Sequence, residues 1–302
     1  MIYLILDGRI GNQLFMYAYA RKLADTNPGQ RIVIDDSNVL KRGWDNLLPE
    51  YPLEDVEYVH DRSRLLAWPM TGRYALYMLY RLVRRPMNYM RRYGFEKKLK
   101  PIFEKAGTYF CQNGYIPFSE QLPKNVLLYG YFQSVKYFEG IENELREAFV
   151  PADSDRLESY PGMAMIRDRN SVCISIKVQH NVGDPMYDVC NGGYWRKAIQ
   201  YIIDNVEDPL FFICSDNVGY VCENLIDTEK YDVVFQSRDR SVSESLAVMG
   251  MCKHFVIGNT TYGWWAQYLS GYKDKIVVAP SRWMNVAMPI DIYQDGWHLI
   301  EV

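Results

Sequence analysis

The second half of the chain alternates short apolar runs with longer amphipathic stretches. Runs rich in Val, Ile, Phe and Cys are typical of strands buried on both faces, and the stretches between them carry apolar residues at helical spacing. This alternation predicts a doubly wound parallel sheet, whose ligands bind beyond the carboxyl ends of the strands. The predicted strands are 171–178, 210–214, 232–235, 254–257 and 275–279, and the predicted helices are 194–203, 218–225, 241–251 and 262–269.

The first half opens with the same order of elements. Residues 2–6 are a predicted strand, Gly8-Arg9-Ile10-Gly11 a turn, and Asn12 the predicted N-cap of a helix that buries Phe15, Ala18, Tyr19 and Leu23. The turn lacks the third glycine of the dinucleotide fingerprint, so we expect no nicotinamide cofactor. Further strands are predicted at 31–35 and 125–128, a helix at 135–149 and a linker at 151–161. Two α/β domains follow, 1–155 and 156–302, with a cleft between them.

Composition restricts the chemistry. A chain of 302 residues with 48% hydrophobic and 24% charged residues is an ordinary globular protein. Its six cysteines form no C-x-x-C pair and its four histidines have no metal-ligand spacing, so we expect reduced core thiols, no metal and no cofactor. The first residues read as a strand rather than a secretion signal, and no apolar stretch reaches about 18 residues. We therefore expect a cytoplasmic protein.

A basic segment interrupts the first half. Residues 62–100 hold eight Arg and three Lys against Glu96, a net charge of +10 in a chain that carries −3 overall, together with six Tyr or Trp residues. A basic, aromatic, helical stretch is typical of a surface for anionic lipid head groups or for a phosphate-bearing acceptor. The alternative is a solvated helical pair that packs its tyrosines inward. Nucleic acid is not expected, because the overall charge is acidic and no nucleic-acid-binding motif is present.

The segment 252–265 predicts an anion site. A strand ends at Gly258, whose missing Cβ would let the backbone approach a ligand, and the next helix begins beside the hydroxyls of Thr260 and Thr261. A diphosphate would suit the free N–H groups of that helix start. The alternative is an ordinary connection between strand and helix, with Thr260 as N-cap.

Several blocks resemble the family 11 glycosyltransferases, the α-1,2-fucosyltransferases. Residues 8–21, GRIGNQLFMYAYAR, resemble the family's opening G-x-x-G-N-Q-x-F-x-Y-A, and residues 129–138, YGYFQSVKYF, resemble its central G-Y-x-Q-S-x-x-Y-F. Residues 252–265, CKHFVIGNTTYGWW, with SESL before them and APSRW after them, resemble its last block, usually N-S-T-F-S-W-W. The matches span nearly the whole chain in order.

The resemblance implies a GT-B fold of two Rossmann-like domains, a GDP-fucose donor in the second domain and an inverting, metal-independent transfer. It implies that an oligosaccharide or lipid-linked glycan acceptor enters from the first domain, so that Asp7, Asn12 and Gln13 face the cleft. This chain resembles the bacterial members that decorate surface polysaccharides. A peripheral position at the inner face of the cell membrane would fit the basic segment.

One family motif is degenerate. The donor signature H-x-R-R-G-D-Y corresponds to residues 175–184, SIKVQHNVGD. If the strand is aligned, Lys177 replaces the histidine and Gln179 and His180 replace the arginines; if Gly183-Asp184 is aligned, Asn181 and Val182 replace them. Neither alignment keeps an arginine to neutralise the departing diphosphate, so compensation is needed from Lys177, from the helix start at 258–261, or from Arg238 and Arg240.

The site residues expected from this reasoning divide into two groups. Asp216 is expected to contact the base or ribose, with a helix N-cap as the alternative. His180 is expected to support the leaving group, with a plain loop histidine as the alternative. Asp7 and Asp184 are candidate general bases. A transferase for a different nucleotide sugar and an inactive sugar-binding relative remain as alternatives. The catalytic candidates are His180, Asp184 and Asp7, and the substrate-binding candidates are Lys177, Gln179, Asp216, Asn259, Thr260, Thr261, Asn12 and Gln13.

Overall fold

The computed structural model describes residues 1–153, 155–177 and 183–302, which group into two compact units. Unit 1 comprises Met1–Pro49, Leu53–Leu145 and Ala287–Tyr293. Unit 2 comprises Glu50–Pro52, Arg146–Val286 and Gln294–Val302. Each unit is therefore built from segments that are separated in the sequence.

Unit 1 contains a five-stranded parallel sheet in the order β3-β2-β1-β5-β4. Every residue of β1 and β2 is buried, in keeping with strands covered on both faces. The elements are β1 (Ile2–Ile5), α1 (Ile10–Thr26), β2 (Ile32–Asp35), α2 (Ser37–Lys41), β3 (Val56–Val59), α3 (Ser63–Leu66), α4 (Thr71–Arg84), α5 (Tyr89–Lys105), β4 (Thr108–Cys111), β5 (Val126–Gly130) and α6 (Glu142–Ala148), which continues to the first residues of unit 2.

The basic segment forms helices α3 to α5 and contributes to the core of unit 1. Tyr77 and Tyr80 on α4 are buried, and the Tyr80 ring stacks on Phe110 of β4 at a centroid distance of 4.4 Å. The inward packing of tyrosines is therefore present. Other side chains of the segment face solvent, however, and Trp68 is 90% exposed. The alternative of inward-packed tyrosines is therefore confirmed in part, and the contact with anionic lipid or a phosphate-bearing acceptor stays a prediction.

Unit 2 contains a six-stranded parallel sheet in the order β11-β10-β9-β6-β7-β8. Ile174, Phe211, Ile213 and Val256 fill its core, against which the indole of Trp195 also packs. The elements are α7 (Asp155–Glu158), α8 (Met163–Asp168), β6 (Asn170–Ile176), α9 (Gly192–Asn205), β7 (Pro209–Ser215), α10 (Val218–Asn224), β8 (Val233–Phe235), α11 (Val242–Gly250), β9 (His254–Ile257), α12 (Thr261–Leu269), β10 (Val277–Pro280) and β11 (His298–Ile300).

Two predictions for helices in the first half are wrong. Helix α1 begins at Ile10, with Arg9 as N-cap, so Asn12 lies inside the first turn instead of capping it. The chain turns at Gly8, whose φ is +77°, so the helix can begin two residues later at Ile10. The predicted helix 135–149 is broken, because a short 3-10 turn at Val135–Tyr137 precedes α6. The predicted linker 151–161 contains α7.

Candidate active site

The carboxyl ends of β6 and β9 lie side by side in the unit 2 sheet. The chain continues from β6 to β7 and β8 on one side and from β9 to β10 and β11 on the other, so the strand order reverses between β6 and β9. Ser175 pairs with Ile257 at this point, and Gly258 N donates a 3.4 Å hydrogen bond to Ser175 O. Ligands of doubly wound sheets bind in the crevice at such a reversal. Lys177, which follows Ile176, and the residues that follow Ile257 therefore form the described part of the candidate site.

Helix α12 begins at this reversal. Thr260 is its N-cap, as the alternative drawn from the sequence had it, and Thr260 Oγ1 accepts a 3.2 Å hydrogen bond from Gly263 N–H. Thr261 is the first helical residue and is half-buried. The first turn of a helix leaves N–H groups without an intrahelical partner and carries the positive end of the helix dipole. The free N–H groups and the helix dipole both favour an anion at this position. Diphosphate binding by Thr260 and Thr261 stays a prediction.

Two glycines are required here by protein packing. A Cβ on Gly258 would lie 3.1 Å from Cη2 of Trp195, so the side on which Gly258 lacks a side chain faces this indole. The expected role of Gly258 is therefore corrected: its missing side chain admits the indole of α9. A Cβ on Gly263 would lie 3.0 Å from Ser175 Oγ, so this second glycine lets α12 start directly against β6.

Asn259 and Asp184 hold the loops around the helix start. Asn259 is 5% exposed, and its Nδ2 donates to the carbonyl oxygens of Tyr187 at 3.1 Å and Trp283 at 3.0 Å. Asp184 Oδ1 accepts hydrogen bonds from Met186 N at 2.8 Å and Tyr187 N at 3.0 Å. Both side chains thus shape the rim of the site through backbone contacts.

The central part of the degenerate donor motif falls in residues 178–182. Gln179 and His180 therefore lie outside the described residues, and their roles stay predictions. Lys177 is the described residue directly before them and is half-buried. It stands two positions beyond Ser175, as Asn259 stands two positions beyond Ile257, so the register brings Lys177 to the same edge of the sheet.

Asp216 follows β7 at the same edge. Its side chain is exposed, and the N-cap of α10 is Asn217, whose Oδ1 accepts a 3.0 Å hydrogen bond from Tyr220 N. The alternative role of Asp216 as N-cap is therefore wrong. Its carboxylate stands at the carboxyl end of β7, and its contact with the ribose or base stays a prediction.

The two arginines considered as compensation differ in their surroundings. Arg240 Nη1 donates to Arg156 O at 2.9 Å and lies 3.7 Å from Glu244 Oε1, and its side chain is 12% exposed. These contacts hold Arg240 in place, so it could reach a diphosphate only by breaking them. Arg238 is exposed and makes no hydrogen bond or ion pair within the described ranges.

Asp7 lies at the carboxyl end of β1 and is 3% exposed. Arg42 grips it with both terminal nitrogens, at 2.6 Å to Oδ1 and 3.3 Å to Oδ2, and Tyr129 Oη donates to Oδ2 at 3.4 Å. Gly8 N donates to Oδ1 at 2.8 Å. Since both oxygens are engaged, Asp7 orients Arg42 and Tyr129 in this structure. Sequence reasoning missed these two partners, because their pairing depends on tertiary contacts between α2, β1 and β5.

Asn12 and Gln13 take different positions on α1. Gln13 is fully buried: its Nε2 donates to Gly8 O at 3.0 Å and Asp45 O at 2.8 Å, and its Oε1 accepts from Leu47 N at 3.0 Å. Gln13 therefore braces the loop after α2 and does not reach solvent. Asn12 is half-buried, and its Oδ1 accepts a 2.8 Å hydrogen bond from Gln133 Nε2.

Two kinds of feature are absent from the described ranges. No group of three or more His, Cys, Asp or Glu side chains is arranged to hold a metal ion in residues 1–153, 155–177 and 183–302. No helix within these ranges has the length and apolar character needed to cross a bilayer.

Solved structures with a similar fold include a fucosyltransferase. Fucosyltransferase NodZ from Bradyrhizobium superimposes with a TM-score of 0.53 at 12% identity, covering 88% of this chain and 91% of that chain. A mutant of Arabidopsis thaliana FUT1 in complex with GDP gives a TM-score of 0.50 at 15% identity, covering 93% of this chain and 70% of that chain. With its two parallel α/β units, the protein has the predicted GT-B fold.

Sequence relatives extend the comparison. An O-antigen biosynthesis glycosyltransferase from Escherichia coli, WbnK, is 24% identical over 98% of this chain and 99% of its own length. An α-1,2-colitosyltransferase from Escherichia coli is 26% identical over 52% of this chain and 55% of its own length. The sequence model of glycosyl transferase family 11 matches residues 1–301, and the chain therefore belongs to this family of glycosyltransferases, as its motifs predicted.

Proposed function

We propose that the protein is an inverting, metal-independent transferase that moves L-fucose from GDP-fucose to a glycan hydroxyl in α-1,2 linkage, during synthesis of a surface polysaccharide. The observation that carries this proposal is the start of α12, with the Thr260 cap and Thr261, at the reversal of strand order in unit 2. Relatives named for O-antigen biosynthesis and for galactoside α-(1,2)-fucosyl transfer support the acceptor and linkage.

The donor contacts follow from charge. As the sugar leaves, negative charge develops on the diphosphate, and groups already oriented toward it lower the barrier. Thr260, Thr261 and the N–H groups of α12 would bind the diphosphate, while Lys177 and His180 would support the departing oxygen. Gln179 would add neutral N–H donors, and Asp216 would bind the ribose or base.

The general base is assigned among three residues. Asp7 has both oxygens engaged by Arg42 and neighbours, which favours a positioning role on the acceptor side, shared with Asn12. Asp184 accepts two backbone hydrogen bonds on Oδ1 alone, so its Oδ2 is left to accept a proton from the acceptor hydroxyl. His180 is the third candidate.

Titration calorimetry with GDP-, UDP-, CDP- and dTDP-sugars tests the donor. Binding of GDP-fucose is expected, and binding of no nucleotide sugar would overturn the proposal. Turnover is then compared among Thr261→Val, Thr261→Ser, His180→Ala and Asp184→Asn. Thr261→Ser keeps the hydroxyl and should retain activity, whereas losing a group that stabilises the developing charge lowers turnover by roughly 10²-fold or more. Unchanged turnover in Thr261→Val and His180→Ala would refute this site.

A second candidate is the same reaction with another deoxy sugar or another nucleotide. The α-1,2-colitosyltransferase relative and the loss of both donor arginines favour it. The calorimetric panel separates the two, because the preferred nucleotide sugar binds most tightly. An inactive relative would bind a donor without releasing nucleotide, so slow hydrolysis of the donor distinguishes it from either enzyme.

Peripheral contact with an anionic membrane from the cytoplasmic side completes the proposal. Leu66, Trp68, Leu79 and Leu82 on or beside α3 and α4 are each more than half exposed, among the cations of the basic segment. Apolar side chains flanked by arginines suit the boundary between head groups and acyl chains. Flotation with vesicles rich in phosphatidylglycerol should exceed flotation with phosphatidylcholine and fall in Trp68→Ser, while Leu299→Ser, an exposed leucine of unit 2, serves as control. Equal flotation of all proteins would contradict the contact.

A further inference from the structure

A basic cavity lies at the carboxyl edge of the unit 1 sheet. Its volume is about 750 Å³, seven cationic side chains line it, and no acidic side chain of the described ranges does. The residues come from α2, from the start of α3, and from α4 and α5, which brings together positions far apart in sequence. The lining residues are Asn38, Lys41, Arg42, Arg62, Met78, Arg81, Leu82, Arg84, Arg85 and Arg92.

Five of the seven cations donate hydrogen bonds to protein atoms. Arg81 Nη1 donates to Tyr77 Oη at 3.2 Å, Arg92 Nη2 to Met87 O at 3.2 Å, and Arg84 to Tyr129. Arg42 pairs with Asp7, and Arg62 donates to Ser37 Oγ and to Tyr74 Oη, each at 2.9 Å. The pair with Asp7 is the one ion pair that an arginine of this cavity makes in the described ranges. Positive charge therefore greatly exceeds negative charge around the cavity.

Arg84 is the most constrained of these cations. Its Nη2 donates to Tyr129 Oη at 3.0 Å, and its guanidinium lies over the rings of Tyr80 and Tyr129 at 5.1 and 5.3 Å. Its Nη1 is buried and has no hydrogen-bond partner in the part of the chain that the structure describes. A buried donor without a partner is unfavourable, and the Arg84 side chain that carries this donor also lines the cavity.

We propose that this cavity binds the diphosphate group of a phosphorylated glycan acceptor. The inference rests on the proposed transferase function, since ligands of a parallel sheet bind at its carboxyl edge and unit 2 already supplies the donor site. A series of side-chain hydrogen bonds crosses that edge from α4 to α2, linking Arg84 to Tyr129, Tyr129 to Asp7 and Asp7 to Arg42. An acceptor held by its diphosphate would thus be anchored beside the strand ends of unit 1.

A diphosphate suits the cavity better than a carboxylate. Six of the seven cations are arginines, whose planar N–H forks match phosphate oxygens in pairs. One carboxylate carries a single charge and would leave most of them unpaired, whereas two linked phosphates present several oxygens and more charge. A volume of about 750 Å³ also exceeds that of a diphosphate, so an attached sugar or chain can enter.

The diphosphate could belong to a lipid-linked glycan or to a free sugar phosphate. Met78 and Leu82 line the cavity, and both are exposed. These apolar side chains would contact an alkyl chain but would add nothing to the binding of a free phosphate. The affinity of an alkyl diphosphate relative to inorganic pyrophosphate therefore distinguishes the two sources.

The test is titration of the full chain with inorganic pyrophosphate and with hexyl diphosphate, both in saturating GDP so that the donor site is filled. Wild-type protein should bind both probes. Arg81→Met/Arg85→Met and Arg84→Met should each weaken binding by about tenfold or more, the scale expected for charge-assisted hydrogen bonds. Arg91→Met removes an exposed arginine of α5 that does not line the cavity, and it should change the affinity less than about twofold.

The outcomes separate this inference from the proposed function. GDP affinity should be equal in every variant, and thermal unfolding followed by circular dichroism shows that each variant is folded. Tighter binding of hexyl diphosphate indicates a lipid-linked acceptor, and equal binding a soluble one. No pyrophosphate binding in saturating GDP, or equal weakening by Arg91→Met, would overturn the cavity assignment while leaving the donor site intact. Failure of GDP itself to bind would instead overturn the proposed function.

Discussion

Glu96 should make the stability of unit 1 fall as the pH rises. Its side chain is 1% exposed and lies between Tyr80, whose hydroxyl donates to Oε1, and Gln112, whose N–H donates to Oε2 at 3.2 Å. Burial raises the pKa of this carboxyl from 4.5 to about 7, although the two hydrogen bonds and the nearby cations Arg84 and Arg92 act in the opposite direction.

The sign of the effect follows from the raised pKa. The folded protein binds the proton of Glu96 more tightly than the unfolded chain does, so its contribution to the free energy of unfolding is complete below pH 4.5 and is lost as the pH rises through 7. A rise from 4.5 to about 7, at about 1.4 kcal/mol for each pH unit, corresponds to roughly 3 kcal/mol.

Glu96→Gln removes the titration and keeps the shape of the side chain. We expect the free energy of unfolding of Glu96→Gln, measured relative to wild type, to be about 3 kcal/mol higher at pH 8 than at pH 5. At both pH values the variant also loses about 1 kcal/mol, because its amide nitrogen cannot accept the hydrogen bond from Gln112 N–H. Urea unfolding at the two pH values measures this difference. Tyr80→Phe removes a hydrogen bond that favours the charged form, so it should move the loss of stability to higher pH. Equal pH dependence in wild type and Glu96→Gln would refute the reasoning.

Three further predictions test the packing around both sites. Arg42→Met should lower the free energy of unfolding, measured with urea, by about 2 kcal/mol, because it leaves the buried Asp7 without its cation. Arg42→Met/Asp7→Asn should recover part of this loss. An Arg42→Met variant more stable than wild type would contradict the pairing. Gly258→Ala should lower the free energy of unfolding by about 1–3 kcal/mol, because the new Cβ would crowd Trp195. Gly258→Ala/Trp195→Phe should restore some of this stability. An unchanged melting temperature in Gly258→Ala would show that the indole moves away freely. Thr260→Ala should cost about 1 kcal/mol and weaken GDP binding in calorimetry, whereas Thr260→Ser should do neither; equal GDP affinity in all three proteins would remove Thr260 from the site.

The sequence predicted central strands better than edge strands. Residues 254–257 were predicted with the observed bounds, because β9 is buried along its whole length and appears as a continuous apolar run. The strands that were not predicted, β3, β4 and β11, all lie at the edges of their sheets. β3 and β11 are largely half-buried, so their apolar pattern is diluted by residues such as Glu57 and His298.

The candidate site was predictable where it depends on local structure. The capping box of Ser241 and Glu244 and the Thr260 cap are properties of a few adjacent residues, and both are present in the structure. The role of Gly258 was not predictable, because Trp195 approaches it from a different helix. The basic cavity was predictable in part. The net charge of residues 62–100 indicates a basic surface, but the sequence does not show that the fold brings Lys41 and Arg42 beside that segment.

The segment Ala287–Tyr293 has a consequence for how the protein is made. It belongs to unit 1, where Asp291 accepts hydrogen bonds from Ser134 Oγ at 2.6 Å and Lys136 Nζ at 2.9 Å. Domains usually fold in order as the ribosome releases them. Unit 1 cannot complete these contacts until residue 291 has been synthesised, after all of Arg146–Val286 of unit 2. The first unit to begin folding is therefore among the last to finish, and a chain cut at residue 145 lacks part of its own fold.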